Sequence, residues 1–131
     1  MKTFEPIPAE VERIAAAIVD AAFKVHSTLG AGLLESVYEA CLCHELRQRD
    51  VPFQSQVVLP VIYDGVRLDA GLRLDLLVAS QVIVELKAVE KMVPLFDAQR
   101  LTYLKLTGLR LGLLINFNVP LIKDGIRRIV R

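Results

Sequence analysis

Residues 71–88 read GLRLDLLVASQVIVELKA. The even positions Leu72, Leu74, Leu76, Val78, Val82, Val84, Leu86 and Ala88 are all apolar, while the odd positions include Arg73, Asp75, Leu77, Ile83, Glu85 and Lys87. A period of two predicts two strands, each with one apolar face, broken at Ala79-Ser80-Gln81. A three-residue hairpin loop there sets the register. Val78 then faces Val82, Leu76 faces Val84 and Leu74 faces Leu86; on the other side Leu77 faces Ile83, Asp75 faces Glu85 and Arg73 faces Lys87. A slip of one residue would turn every side chain to the wrong face, so this register is well specified.

Two carboxylates directly across a strand pair repel one another unless positive charge sits between them. A hard divalent cation with oxygen ligands is one solution. Arg73 and Lys87 are another, since the four charges would also make an exposed lattice of little energetic consequence.

At 131 residues the chain is expected to be a single domain, 1–131, long enough to bury a core. Hydrophobic residues make up 53% and mean hydropathy is +0.44, yet no apolar run approaches the length that spans a bilayer. The opening MKTFEPIPAEVERI carries early acids and prolines rather than a leader pattern, so a cytoplasmic location is expected. The apolar surplus suggests a subunit interface and hence a homo-oligomer, most simply a dimer.

The net charge of +1 is unevenly spread. From Gln99 to Arg131 seven basic residues stand against Asp124 alone, leaving nine basic and fourteen acidic residues in the rest. A basic C-terminal third is compatible with contact to a polyanion, or with ordinary solvated positions. Cys41 and Cys43 lie two apart in a helical stretch, where they point to nearly opposite sides and make a poor zinc clamp.

In chain order, Pro8 to Thr28 reads as a helix with Val11, Ile14, Ile18, Ala21, Ala22 and Val25 on one face, ended by Leu29-Gly30-Ala31-Gly32. A second helix is expected from Leu33 to Arg49, with Leu34, Val37, Tyr38, Cys41, Leu42 and Leu46 as its buried stripe and Glu35 in its first turn. An acid in that position is commonly a dipole-favoured surface residue. Phe53 to Leu68 reads as a hairpin turned at Asp64-Gly65, with Pro60 marking an edge or bulge. After the 71–88 hairpin, Leu95 to Thr107 forms a third helix ended by Gly108. Leu111 to Phe117 is apolar at almost every position, as in a strand buried on both faces and reached by a crossover. Pro120 to Arg131 supplies a last short strand or tail. The predicted class is α/β, a mixed sheet flanked by helices in the order α-α-β-β-β-β-α-β.

Asp75 followed one strand later by Glu85-Leu86-Lys87 resembles the core hairpin of the PD-(D/E)xK nuclease superfamily. Residues 25–38, VHSTLGAGLLESVY, resemble the signature of the GxxExxY family, with Gly32, Glu35 and Tyr38 in its fixed positions. The order of later segments, VIVELKAVEK, AQRLTYLKLTG and LLINFNVPLIKDGIRRIV, is also similar to that family. The resemblance implies a restriction-endonuclease-like core. It further implies that Asp75, Glu85, the carbonyl of Leu86 and the helix-borne Glu35 hold Mg²⁺ or Mn²⁺, with Lys87 acting on the attacking water or the phosphate. Gln99 would hydrogen-bond substrate or Lys87, and His26, Tyr38, Arg73 and Arg100 would line the cleft. Residues of the kind of His26 and Tyr38 are more often packing residues with a satisfied polar tip. Leu74 stands where the superfamily motif has proline, and Leu72 where an aromatic is expected; neither position carries a ligand.

Two functions follow from different classes. One is a metal-dependent nuclease acting on DNA or RNA; the other is a non-catalytic module that keeps the fold and binds nucleic acid or protein. No helix-turn-helix or zinc-finger pattern offers readout of bases.

Overall fold

A computed structural model describes residues 5–131, with Ala70 described by its backbone alone. The reading of the first residues as no leader therefore lies in part outside the described residues. The elements are α1 (Ala9–Leu29), α2 (Glu35–Gln48), β1 (Phe53–Tyr63), β2 (Val66–Val78), β3 (Val82–Lys87), α3 (Pro94–Thr107), β4 (Leu111–Asn116), a 3₁₀ turn (Ile122–Gly125) and β5 (Ile126–Val130). They build one five-stranded sheet in the order β1-β2-β3-β4-β5. β3 and β4 run parallel, and the other neighbours are antiparallel.

The mixed α/β class stands, with α3 as the crossover between the parallel strands β3 and β4. Every residue of β4 is buried, as its unbroken apolar run requires. Two details of the strand order differ from expectation. The segments around Leu68 and Leu72 are one strand, β2, which runs on through a shift of register with β1 between Leu59 and Val61, the irregularity expected at Pro60. The C-terminal residues form a full edge strand paired to β4.

Both tight turns match their sequence signals. Asp64 and Gly65 have φ 52° and 73°, the pair of positive values that a two-residue hairpin turn of the primed kind needs. At the second turn Ala79 and Ser80 take φ 51° and 56°, and Gln81 N–H bonds the Val78 carbonyl at 2.9 Å. The register beyond it is the expected one for three pairs, Val78 with Val82, Leu77 with Ile83 and Leu76 with Val84.

The ladder then stops. Leu74 does not pair with Leu86, nor Arg73 with Lys87, because β2 and β3 part at Asp75. The apolar row of β2 changes face at the same point. Leu76 and Val78 join the core under α1 and α2, with Val82, Val84, Leu86, Leu113 and Ile115. Leu74 instead packs with Leu59, Ile83 and Leu104 on the α3 side, with Leu72 beside them. The cause lies across the strand pair: Gln56, which would face Asp75, takes φ 53°, and the regular β1–β2 pairing skips this position. The single apolar face predicted for residues 72–78 is thus two half-faces.

The stripe of α2 is rotated from expectation. Tyr38, Leu42, Cys43, Glu45 and Leu46 are buried, whereas Leu34 and Val37 are exposed. Leu34 is the residue before the helix and has extended backbone, so it does not count in the helical period. Cys43 rather than Cys41 is the core cysteine, and both are free thiols. Glu45 tolerates burial because Arg49 and Lys24 reach its carboxylate at 2.6 and 3.4 Å. The basic surplus of the C-terminal third is largely engaged within the chain. Arg100, Arg127 and Arg128 pair with Glu85, Asp97 and Glu12, and Arg110 donates to the carbonyls of Glu5, Pro6 and Arg131. No helix among the described residues is long and apolar enough to cross a membrane.

Candidate active site

Where β2 and β3 separate, side chains replace the missing rungs of the ladder. Leu86 N–H donates to Asp75 Oδ2 at 2.9 Å, and Asp75 N–H donates to Glu85 Oε1 at 3.2 Å. Each acid therefore caps the backbone of the opposite strand, so the parting opens a polar notch without orphaning buried amides. Beside the notch lies a cleft of about 330 Å³ lined by Glu35, Ser36, Glu39, Gln56, Asp75 and Leu86. It is the gap between the start of α2 and the sheet.

Glu35 reaches this cleft because the chain enters α2 there. The entry is held by Tyr38, which is fully buried and stacks on Phe117 at 4.5 Å between ring centroids. Its hydroxyl donates to the Gly30 carbonyl at 2.6 Å and accepts from Leu33 N–H at 3.2 Å. Tyr38 is thus a brace for the loop that presents Glu35, and its hydroxyl is not offered to the cleft. His26 is likewise removed from the acids: it is buried, with Nε2 2.8 Å from the Val119 carbonyl. These two side chains take the packing role that the sequence left open for them.

The remaining candidates fall on the α3 side. Glu85 is 5% exposed, and its Oε2 lies 2.7 Å from Arg100 NH1. Lys87 is half-buried with its ammonium 4.6 Å from the centre of the Phe96 ring, a cation–π contact that fixes where the charge sits. Gln99 Oε1 accepts from Arg100 NH2 at 3.4 Å. Arg100 is 4% exposed, which corrects its expected role as a cleft-lining contact: it is an internal partner of Glu85. Arg73 is exposed, two residues before Asp75 on β2.

The charges in this region work against one another. Burial, and secondarily the Asp75 carboxylate, push Glu85 up to about 8, with Arg100 opposing. Glu35 is also raised, mainly by partial burial and then by Asp75, with Lys87 opposing. Excess negative charge around Asp75 is the common element, and Lys87 is near enough to be felt at Glu35.

The far end of β3 is secured by a residue with no motif signal. Asn116, 2% exposed, accepts from Val89 N–H and Asn118 N–H at 3.1 Å each and donates to the Val89 carbonyl at 2.9 Å. Phe117 N–H also bonds the Lys87 carbonyl. One polar residue ending the apolar run of β4 was the available sign. Gly125 packs against this point so closely that a Cβ would lie 2.1 Å from the Asn116 carbonyl oxygen. Glu39 was missed, though its place four residues after Glu35 on one helix was an available signal, whereas Ser36 and Gln56 carry no sequence signal for the cleft they line.

Among the described residues no three His, Cys, Asp or Glu side chains stand together as a metal-holding group. Asp75 and Glu35 face the cleft, and Glu85 lies behind Asp75.

The profile of the PD-(D/E)XK nuclease superfamily matches residues 12–129, nearly the full length. No curated protein and no solved structure matches the chain. Asp75 and Glu85-Leu86-Lys87 sit on adjoining strands that part at the acids, and α3 crosses over to a parallel strand; with the profile match, these features make the chain a member of the PD-(D/E)XK nuclease superfamily.

Proposed function

We propose that this protein is a divalent-metal-dependent nuclease of the GxxExxY type, hydrolysing phosphodiester bonds in DNA or RNA at the notch between β2 and β3. The observation that carries the reading is the parting of the strands at Asp75, which sets one carboxylate at the cleft wall with Glu35 opposite and Lys87 nearby. Nucleases of this superfamily usually use divalent metals. The donors here suit such an ion: they are oxygens only, and Mg²⁺ commonly takes one or two carboxylates and keeps several waters. Glu35 and Glu85 are raised first by burial and then by the Asp75 carboxylate, and the second of these is what a cation would relieve.

Asp75 and Glu35, which face the cleft, would hold the ion, and Glu85 with the Leu86 carbonyl would join them once Glu85 turns from Arg100. When bound, it polarises the phosphate and favours deprotonation of a water. Lys87, parked over Phe96, orients the attacking water or neutralises charge that develops on the phosphate. Gln99, next to Arg100 on α3, hydrogen-bonds substrate or steadies its neighbour's guanidinium.

Incubation with Mg²⁺ or Mn²⁺ and single- and double-stranded DNA and RNA tests the reading. Cleavage should fall by about 10²-fold or more in Lys87→Ala and Asp75→Asn, the range for removing a group that acts at the transition state. No cleavage, or cleavage unchanged by these substitutions, counts against it. The burial of Glu85 under Arg100 favours a second reading, a module that binds nucleic acid without turnover. Salt-sensitive binding with no product would select it. For the expected dimer, the exposed apolar residues of the β1–β2 ribbon, Val58, Ile62, Tyr63 and Val66, are the surface we nominate. Light scattering of wild type against Ile62→Asp tests that surface, and a monomer mass for wild type dismisses it.

A further inference from the structure

Glu85 is a motif acid, yet it does not line the cleft that Asp75 and Glu35 share. Both of its oxygens are engaged elsewhere: Oε1 accepts the Asp75 N–H, and Oε2 faces Arg100 NH1 at 2.7 Å. The side chains of Arg100 and Glu85 are 5% and 6% exposed, so water competes little for either. Arg100 in turn lies over the Tyr103 ring, its Cζ 4.5 Å from the centroid, and touches Gln99.

We propose that Arg100 is a latch on Glu85: its guanidinium occupies the carboxylate in the metal-free protein and yields it to a divalent cation arriving at Asp75. Arg100 is then a positioning residue that sets how much cation the site needs before it loads. The inference rests on the metal-dependent reading above.

The quality of the contact supports a latch rather than a permanent clamp. Arg–carboxylate pairs that fix geometry do so through two parallel, aligned hydrogen bonds. Here NH1 is close to Oε2, but neither NH1 nor Nε has an aligned hydrogen-bond partner among the described residues. Where Glu85 is ionised, attraction of charge holds the pair, and another cation supplies the same attraction. Exchanging guanidinium for a metal ion never leaves the buried carboxylate alone, so the heavy cost of an uncompensated buried charge is avoided. The released guanidinium still has the Tyr103 face and Gln99 Oε1 beside it.

Calorimetric titration of Mg²⁺ at pH 8.5 into wild type, Arg100→Gln, Arg100→Lys and Asp75→Asn tests the latch. Removing a close competing charge should tighten binding about tenfold in Arg100→Gln, read at pH 9.5 as well as 8.5 because loss of the guanidinium lets a proton compete for the buried Glu85. Arg100→Lys should fall between it and wild type, and Asp75→Asn should lose binding. In wild type the Nε–H resonance of Arg100, assigned by its absence from the lysine variant, should shift on saturation with Mg²⁺. Equal or weaker binding by Arg100→Gln, or an Nε–H resonance that does not move at saturation, overturns the latch alone. No binding in wild type and Arg100→Gln alike refutes the metal reading itself. Should Arg100→Gln not fold, the wild-type resonance decides the matter.

Discussion

Replacing Asn116 by leucine separates the scaffold of the site from its chemistry. Leucine keeps the branched outline of the amide with bulkier groups, and three hydrogen bonds vanish: two accepted from Val89 N–H and Asn118 N–H, one donated to the Val89 carbonyl. At about 1 kcal/mol each, with the backbone partners left partly buried, the loss comes to roughly 3 kcal/mol. The added apolar surface returns about 1 kcal/mol, leaving a net cost of about 2 kcal/mol. With a urea m-value of about 2 kcal/mol/M for a chain of this size, the midpoint should fall by about 1 M. The loss should also be local, because the two bonds to Val89 tie down the segment that leaves β3 after Lys87. Hydrogen exchange at the Val89 amide should speed up by more than global destabilisation explains. A midpoint shift below about 0.3 M, or a Val89 amide as protected relative to the core as in wild type, would show that Asn116 does not anchor this end.

Two further outcomes follow from the same structure. Gly125→Ala puts a methyl 2.1 Å from the Asn116 carbonyl oxygen and 3.0 Å from Val119 Cγ2, so backbone must move. Overpacking of this kind costs about 1–3 kcal/mol, and a urea midpoint equal to wild type would refute the close approach. The raised Glu85 gives a pH dependence of definite sign. Its folded value, about 8, lies above the ordinary 4.5, so the native state holds a proton that the unfolded chain releases between them. The resulting stability is complete below about pH 4.5 and declines as pH rises through about 8. Urea unfolding of wild type should therefore weaken between pH 5 and 8 relative to Glu85→Gln; parallel curves would contradict the shift.

Local rules account for much of what the sequence made legible. The 78/82 turn, the Asp64-Gly65 turn and the burial of β4 depend on residues adjacent in the chain, and each formed as expected. The change of face at Asp75 was hidden, because it depends on the backbone of Gln56 on another strand and on carboxylates bonding amides. Arg100 was visible as a basic residue on α3, but its partner is Glu85 on β3, and no spacing rule joins the two. Counting charges likewise overstated the basic C-terminal third, since pairing to Glu12, Glu85 and Asp97 is a product of the fold. Leu34 misled the phase of α2 by standing just outside it.

The carboxylates of Asp75 and Glu85 are also structural rungs, each accepting an amide that the neighbouring strand would otherwise have satisfied. Under the proposed nuclease reading, loss of catalysis and unzipping of the sheet are consequently entangled in this molecule. A substitution that deletes either acid, such as alanine, removes a splint as well as a proposed ligand, so a loss of activity would not by itself report on chemistry. Only amide isosteres, which keep an oxygen for the opposing N–H, can tell a disarmed enzyme from a loosened one.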